Sequence, residues 1–107
     1  MTTQQPQAAR SWAGAVPKLA ELTESLLFGQ IWERPELSKR DRSMITVAVL
    51  TALYRTDQLR GHIGRALDNG VTKEEIAELI THVTFYAGWP TGAQAAQVAK
   101  EVCDQRL

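Results

Sequence analysis

Asn69-Gly70-Val71-Thr72-Lys73-Glu74-Glu75-Ile76 carries a helix stop and a helix start within eight residues. Asn69-Gly70 supplies the left-handed stop that ends a helix. Thr72 to Glu75 is a capping box, in which the Thr72 hydroxyl and the Glu75 carboxylate each satisfy a free backbone donor of the next helix. Two helices therefore meet here across a short connection. Downstream, Ile76, Leu79, Ile80 and Val83 recur at helical spacing, and that helix stops near Gly88-Trp89-Pro90. Phe85 falls nearly opposite this stripe, which predicts a subunit contact. A last helix, from about Thr91 to Asp104, is rich in Ala and Gln, whose small side chains permit close packing. Upstream, Leu59, Ile63, Ala66 and Leu67 form one stripe of a helix predicted from Thr56, as cap, to Asn69.

Before that helix, Ser38-Lys39-Arg40-Asp41 reads as an N-cap followed by an acidic residue three places on. The helix it opens is apolar almost all the way round from Met44 to Leu53, a pattern that predicts burial on every side. In a chain this short, such burial calls for other subunits as well as its own neighbours. The segment Ser11 to Arg34 carries Leu19, Leu22, Leu26 and Leu27 at helical spacing, with Pro17 suited to a first turn. Pro35 favours an extended Arg34, which makes Glu33 to Leu37 a bend. The expected fold is an all-α, single-domain bundle of five to six helices over residues 11–107, after a disordered polar lead-in at residues 1–10.

The chain has 107 residues, enough for one core and not two. Lys plus Arg and Asp plus Glu number twelve each, a balance that argues against nucleic acid or an anionic membrane as partner. No apolar run approaches the roughly 20 residues of a membrane helix. With no signal-peptide pattern at Met1 to Arg10, the expected compartment is the cytoplasm. One cysteine, Cys103, excludes an internal disulfide and a cysteine-based metal cluster within one chain. Neither histidine falls in a recognised metal-ligand spacing, so no metal is expected, and no glycine-rich phosphate loop is present.

Candidate chemistry centres on His62 and His82. His62 lies at the edge of its helix's apolar stripe, and His82 lies one turn from both Glu78 and Tyr86. An imidazole half-buried beside a cleft serves general acid–base chemistry, and the same positions suit a hydrogen-bonded border residue. Arg34, Arg40 and Arg42 flank a helix start, where backbone N–H groups already favour anions. They suit a carboxylate anchor, or a solvated bend paired with Glu33, Glu36 and Asp41. Trp32 and Trp89, each beside a Pro-containing turn, either wall a small-molecule pocket or seal a core or interface.

Three blocks carry a resemblance: Phe28 to Ser43, Gln58 to Ile76, and His82-Val83-Thr84-Phe85-Tyr86-Ala87-Gly88-Trp89-Pro90. In order and spacing they resemble the decarboxylase branch of the carboxymuconolactone decarboxylase family, across most of Leu26 to Val102. The resemblance implies a helical fold assembled into homo-oligomeric rings, commonly trimers or hexamers, through the apolar second helix and its neighbours. It also implies two activities. The alkylhydroperoxidase D-like branch uses a C-x-x-C pair, a following His and an upstream Glu. Here His62 occupies the His position, while Thr56 and Leu59 hold the cysteine positions and Ser43 the Glu position. Thiol peroxidase chemistry is therefore rejected.

The other branch decarboxylates 4-carboxymuconolactone without a cofactor, in the β-ketoadipate route of aromatic catabolism. The resemblance thus implies a carboxy-lyase acting on a small carboxylated lactone or related acid. In it, His62 or His82 gives the proton, an arginine among Arg34, Arg40 and Arg42 anchors the spectator carboxylate, and Tyr86 or Trp89 shapes the pocket. Trp32 is a further candidate wall. The chain departs from the family pattern at Gln58, where a Glu is expected, and at Glu36 and Tyr54, where Gly is common. These departures leave a second reading, a non-catalytic homo-oligomeric ligand-binding or scaffold protein of the same fold.

Overall fold

The computed structural model describes residues 11–106, so the expected lead-in at residues 1–10 lies outside the described residues. The class is all-α, with no strand among the described residues. By internal contacts the chain divides into two compact units, one ending at Ser38 and one beginning at Lys39.

In the first unit, α1 (Pro17–Leu22) starts at the expected proline and runs on as a π-helical segment, Thr23–Ile31. Gly29 lies in a tight part of this segment. A Cβ there would stand 2.9 Å from the Glu24 carbonyl oxygen, five residues back, so only glycine tolerates that close approach. The Trp32 N–H likewise reaches five residues back, to Leu27 O at 2.9 Å. Leu19, Leu26, Leu27 and Ile31 are exposed, whereas Trp32 is buried, 5.7 Å from the Phe28 ring.

The second unit holds α2 (Lys39–Ala52), α3 (Thr56–Asp68), α4 (Lys73–Ala87) and α5 (Trp89–Arg106). α3 packs on α2 and α5, and α4 packs on the same two, so α3 and α4 occupy opposite corners of a four-helix arrangement. The core is Val47, Leu59, Ile63, Ala66, Val71, Ile76, Ile80, Ala95, Val98 and Val102. Leu59, Ile63 and Ala66 repeat every three to four residues on α3, as do Ala95, Val98 and Val102 on α5. Both hydrogen bonds of the Thr72–Glu75 capping box form. Two helix boundaries differ from expectation. Thr56 is the first residue of α3 and not its cap, which is Arg55 without a side-chain hydrogen bond. α5 begins at Trp89, because Pro90 fits a first turn as readily as it ends the preceding helix.

The second helix holds a surprise. Its buried stripe is Ser43, Val47 and Thr51, while Ile45, Val49 and Leu53 are 50%, 47% and 57% exposed in the chain on its own. Ser43 Oγ accepts a hydrogen bond from Asn69 Nδ2 at 2.9 Å. α2 and α3 end in the same motif. The Arg55 N–H bonds Leu50 O and the Tyr54 N–H bonds Thr51 O, as Val71 bonds Ala66 O and Gly70 bonds Leu67 O. Gly70 fills the left-handed position of one, at φ +95°, and Tyr54 fills that of the other, at φ +63°.

Candidate active site

α2 turns Ala48 and Ala52 towards α4, and these short side chains leave a trough between the two helices. It consists of two adjoining clefts of about 370 Å³ each, which share Ala48, His82 and Val83. One runs past Val49, Ala52, Tyr86 and Ala87. The other runs past Met44, Glu75, Glu78 and Leu79. His82 therefore sits where the two join. Helical spacing puts Glu78, His82 and Tyr86 on one face of α4, and the His82 and Tyr86 rings lie 5.0 Å apart.

A cation contacts two lining residues of the second cleft from outside its lining. Arg40, in the first turn of α2, directs Nη1 to Met44 Sδ at 3.7 Å and donates from Nη2 to Glu75 Oε2. Met44 and Glu75 are both lining residues of the cleft. The other oxygen of Glu75, Oε1, accepts the Thr72 N–H at 2.9 Å. That backbone hydrogen bond first, and Arg40 second, hold the Glu75 carboxyl below the usual carboxylate range. Along α4, His82 follows Glu75 by seven residues, or about 10 Å at 1.5 Å per residue. The Glu75 carboxylate that Arg40 grips and the His82 imidazole thus start about two helical turns apart along α4, both lining one mostly apolar trough.

His62 is placed differently. It lies on α3, across the bundle from α4, and is half-buried. Burial, and then the charge of Arg65 one turn on, push its imidazole down to about 4. Neither His62 nor Arg42, also half-buried, belongs to the lining of the α2–α4 trough. Trp89 is 66% exposed, with Phe85 edge-on at 5.5 Å, and lies outside that lining too. Trp32 and Arg34 fall in the first unit, where Arg34 Nη2 lies 3.8 Å from Glu36 Oε1. Of the residues expected from sequence, His82 and Tyr86 line the trough, and Arg40 contacts two of its lining residues, Met44 and Glu75.

Sequence reasoning missed Met44, Ala48, Glu75 and Glu78 as members of this group. Glu78 carried a signal, one turn from His82. Glu75 carried a different one, as half of a capping box, and its second partner is 35 residues away in sequence. Cys103 lies on α5 in a separate cleft of about 470 Å³ between α4 and α5, with Lys73, Ile80 and Lys100 among its lining.

With this geometry in place, sequence comparison decides the family. The profile described as "Carboxymuconolactone decarboxylase family" matches residues 17–101, well over half of the chain. The chain belongs to the carboxymuconolactone decarboxylase family. It is 48% identical over 75 residues to 4-carboxymuconolactone decarboxylase of Acinetobacter baylyi, covering 70% of this chain and 56% of that protein. It is 32% identical over 87 residues to nitrosuccinic acid decarboxylase of Metarhizium robertsii, covering 81% of this chain and 61% of that protein. An uncharacterised 15.0 kDa protein of Paracoccus denitrificans is 30% identical over 95 residues, covering 87% and 71%. The match thus spans little more than half the length of the two named decarboxylases. All three blocks singled out from sequence fall within the span of the carboxymuconolactone decarboxylase profile.

Proposed function

We propose that this chain is a cofactor-free carboxy-lyase that removes carbon dioxide from a small carboxylated lactone or related acid in the trough between α2 and α4. The observation that carries this reading is the placement of His82 at the junction of two apolar clefts, one of which is lined by Met44 and Glu75, the two residues that Arg40 contacts. Two decarboxylases among the similar proteins support the reaction class.

The reaction breaks the bond between the scissile carboxylate and its carbon, and the electron pair passes into the conjugated lactone as an enolate. Carbon dioxide leaves, and a proton must reach the carbanionic carbon. His82 gives that proton and regains one from water. A positioned acid of this kind contributes about 10²–10⁴-fold. Arg40 holds the spectator carboxylate by charge-assisted hydrogen bonds. Val49, Ala52, Val83 and Ala87 supply a dry wall, which favours loss of charge from the departing carboxylate. Between the two histidines, the donor role goes to His82. His62, pushed down to about 4, rests neutral at neutral pH and holds no readily lost proton.

The trough is open in one chain, and the neighbouring Ile45, Val49, Leu53, Phe85 and Tyr86 are exposed. A second copy of the chain covers them in this reading, excludes water from the reacting carboxylate, and makes the protein a homo-oligomer. The direct test is carbon dioxide release from 4-carboxymuconolactone by the purified chain, with nitrosuccinate as the comparison substrate. Turnover of either supports a carboxy-lyase. Inertness towards both, in an oligomer of intact helicity, favours the non-catalytic binding protein.

A further inference from the structure

We propose that Glu75 is a positioning residue: it grips one side of the Arg40 guanidinium and leaves the other side for a substrate carboxylate. The inference rests on the reading of the α2–α4 trough as the substrate site.

Glu75 makes two contacts that differ in kind. Oε1 accepts the Thr72 N–H and belongs to the helix start, while Oε2 accepts from Arg40 Nη2 and crosses to another helix. The capping contact orients the carboxylate, so the second oxygen presents itself to α2 at a fixed place. Arg40 has five N–H donors in a rigid fork. Nη2 is taken by Glu75. Nη1 faces the Met44 thioether at 3.7 Å and the Asp41 Oδ1 at 4.0 Å, a weak acceptor and a long contact. A carboxylate entering past Met44 displaces a sulfur contact and takes Nη1, while Glu75 keeps Nη2.

Two effects of Glu75 oppose each other. Its charge repels an incoming anion, and its grip spares the long Arg40 side chain from being ordered on binding. The two partners are 39% and 38% exposed, so solvent screens the repulsion. The ordering cost of a mobile arginine is not screened. The grip is therefore the larger effect, and removing it weakens binding.

The test uses Glu75→Gln in the full chain. Gln retains an oxygen for the Thr72 N–H and loses the charge that holds Arg40. Thr72→Ala is the companion variant, since it damages the helix cap and leaves the ion pair. Each protein is assayed with 4-carboxymuconolactone and titrated with benzoate, a planar monocarboxylate, followed on the Arg40 Nε–H resonance. Glu75→Gln is expected to raise KM about tenfold with kcat within about twofold, to weaken benzoate by a similar factor, and to broaden the Arg40 signal. Thr72→Ala is expected to lower the melting temperature and leave KM and benzoate affinity unchanged. A wild-type protein that binds benzoate at Arg40 without turning over the lactone contradicts the lyase reading, and a loss of benzoate affinity in Glu75→Gln then still supports the positioning. Unchanged or tighter benzoate binding in Glu75→Gln overturns the proposal, because Glu75 then merely repels anions or caps its helix.

Discussion

Tyr54 and Gly70 occupy equivalent positions at the ends of two helices, and only one of them suits the backbone. A left-handed conformation costs a residue with a Cβ about 1–2 kcal/mol, and a bulky ring gains nothing there from its own backbone. Tyr54→Gly is therefore expected to raise stability by about 1 kcal/mol, after the extra unfolded-state freedom of glycine is deducted; urea unfolding measures it. His62 makes a second prediction, about pH. Its folded-state value of about 4 lies below the ordinary histidine value of 6.5, so the unfolded chain binds more protons between those values. Stability from this residue is then complete above about pH 6.5 and is lost as pH falls towards 4. At about 1.4 kcal/mol per pKa unit the full loss is at most about 3.5 kcal/mol, and solvent at the half-buried ring lowers it further. Unfolding midpoints at pH 7 and pH 5 should diverge in the wild type and converge in His62→Gln, in a window above the usual titration of carboxylates.

The helices α4 and α5 cross more closely than a side chain allows. A Cβ on Gly92 would meet Thr84 Oγ1 at 1.8 Å and Thr84 Cβ at 2.8 Å. Thr84 has no easy escape, because Oγ1 is bonded to Ile80 O at 2.7 Å. Gly92→Ala is expected to destabilise by about 1–3 kcal/mol through overpacking, read as a lower melting temperature. Much of this level was legible in the sequence. The Asn69-Gly70 stop, the capping box and the α3 stripe each follow from one local rule, and each appears in the structure. The π-helical segment was not, because apolar spacing does not encode hydrogen bonds to the fifth residue back, such as Trp32 N–H to Leu27 O. The inward face of α2 was hidden for another reason. When apolar residues surround a helix, periodicity cannot say which stripe is buried, and the buried one proved to be Ser43, Val47 and Thr51. In the trough between α2 and α4, the neighbouring placement of His82 and Tyr86 was legible from their shared helix face. The grip of Glu75 on Arg40 was not, since no local pattern joins two residues on different helices.

At the scale of the molecule, the apolar residues left outside by α2, the turn after it, α4 and the start of α5 are the main clue to assembly. Ile45, Val49, Leu53, Phe85, Tyr86 and Trp89 are each at least 47% exposed in the isolated chain. Covering them recovers about 25 cal/mol for each Å² of apolar surface removed from water. Sedimentation at micromolar concentration is expected to show a homo-oligomer, and Val49→Asp or Phe85→Asp to shift it towards monomer. A stable wild-type monomer would contradict the covered trough. The net charge is zero, so this association is expected to persist at high salt. The sequence has a single cysteine, Cys103, and the proposed reaction relies instead on histidine, arginine and a shaped apolar trough.

The most direct measurement is turnover of 4-carboxymuconolactone by His82→Ala and His62→Ala variants that keep the wild-type assembly. The His82 substitution is expected to lower kcat about 10²–10⁴-fold, as loss of a positioned proton donor does. The His62 substitution is expected to lower it far less. Wild-type turnover in His82→Ala would contradict the assignment of the reaction to the α2–α4 trough.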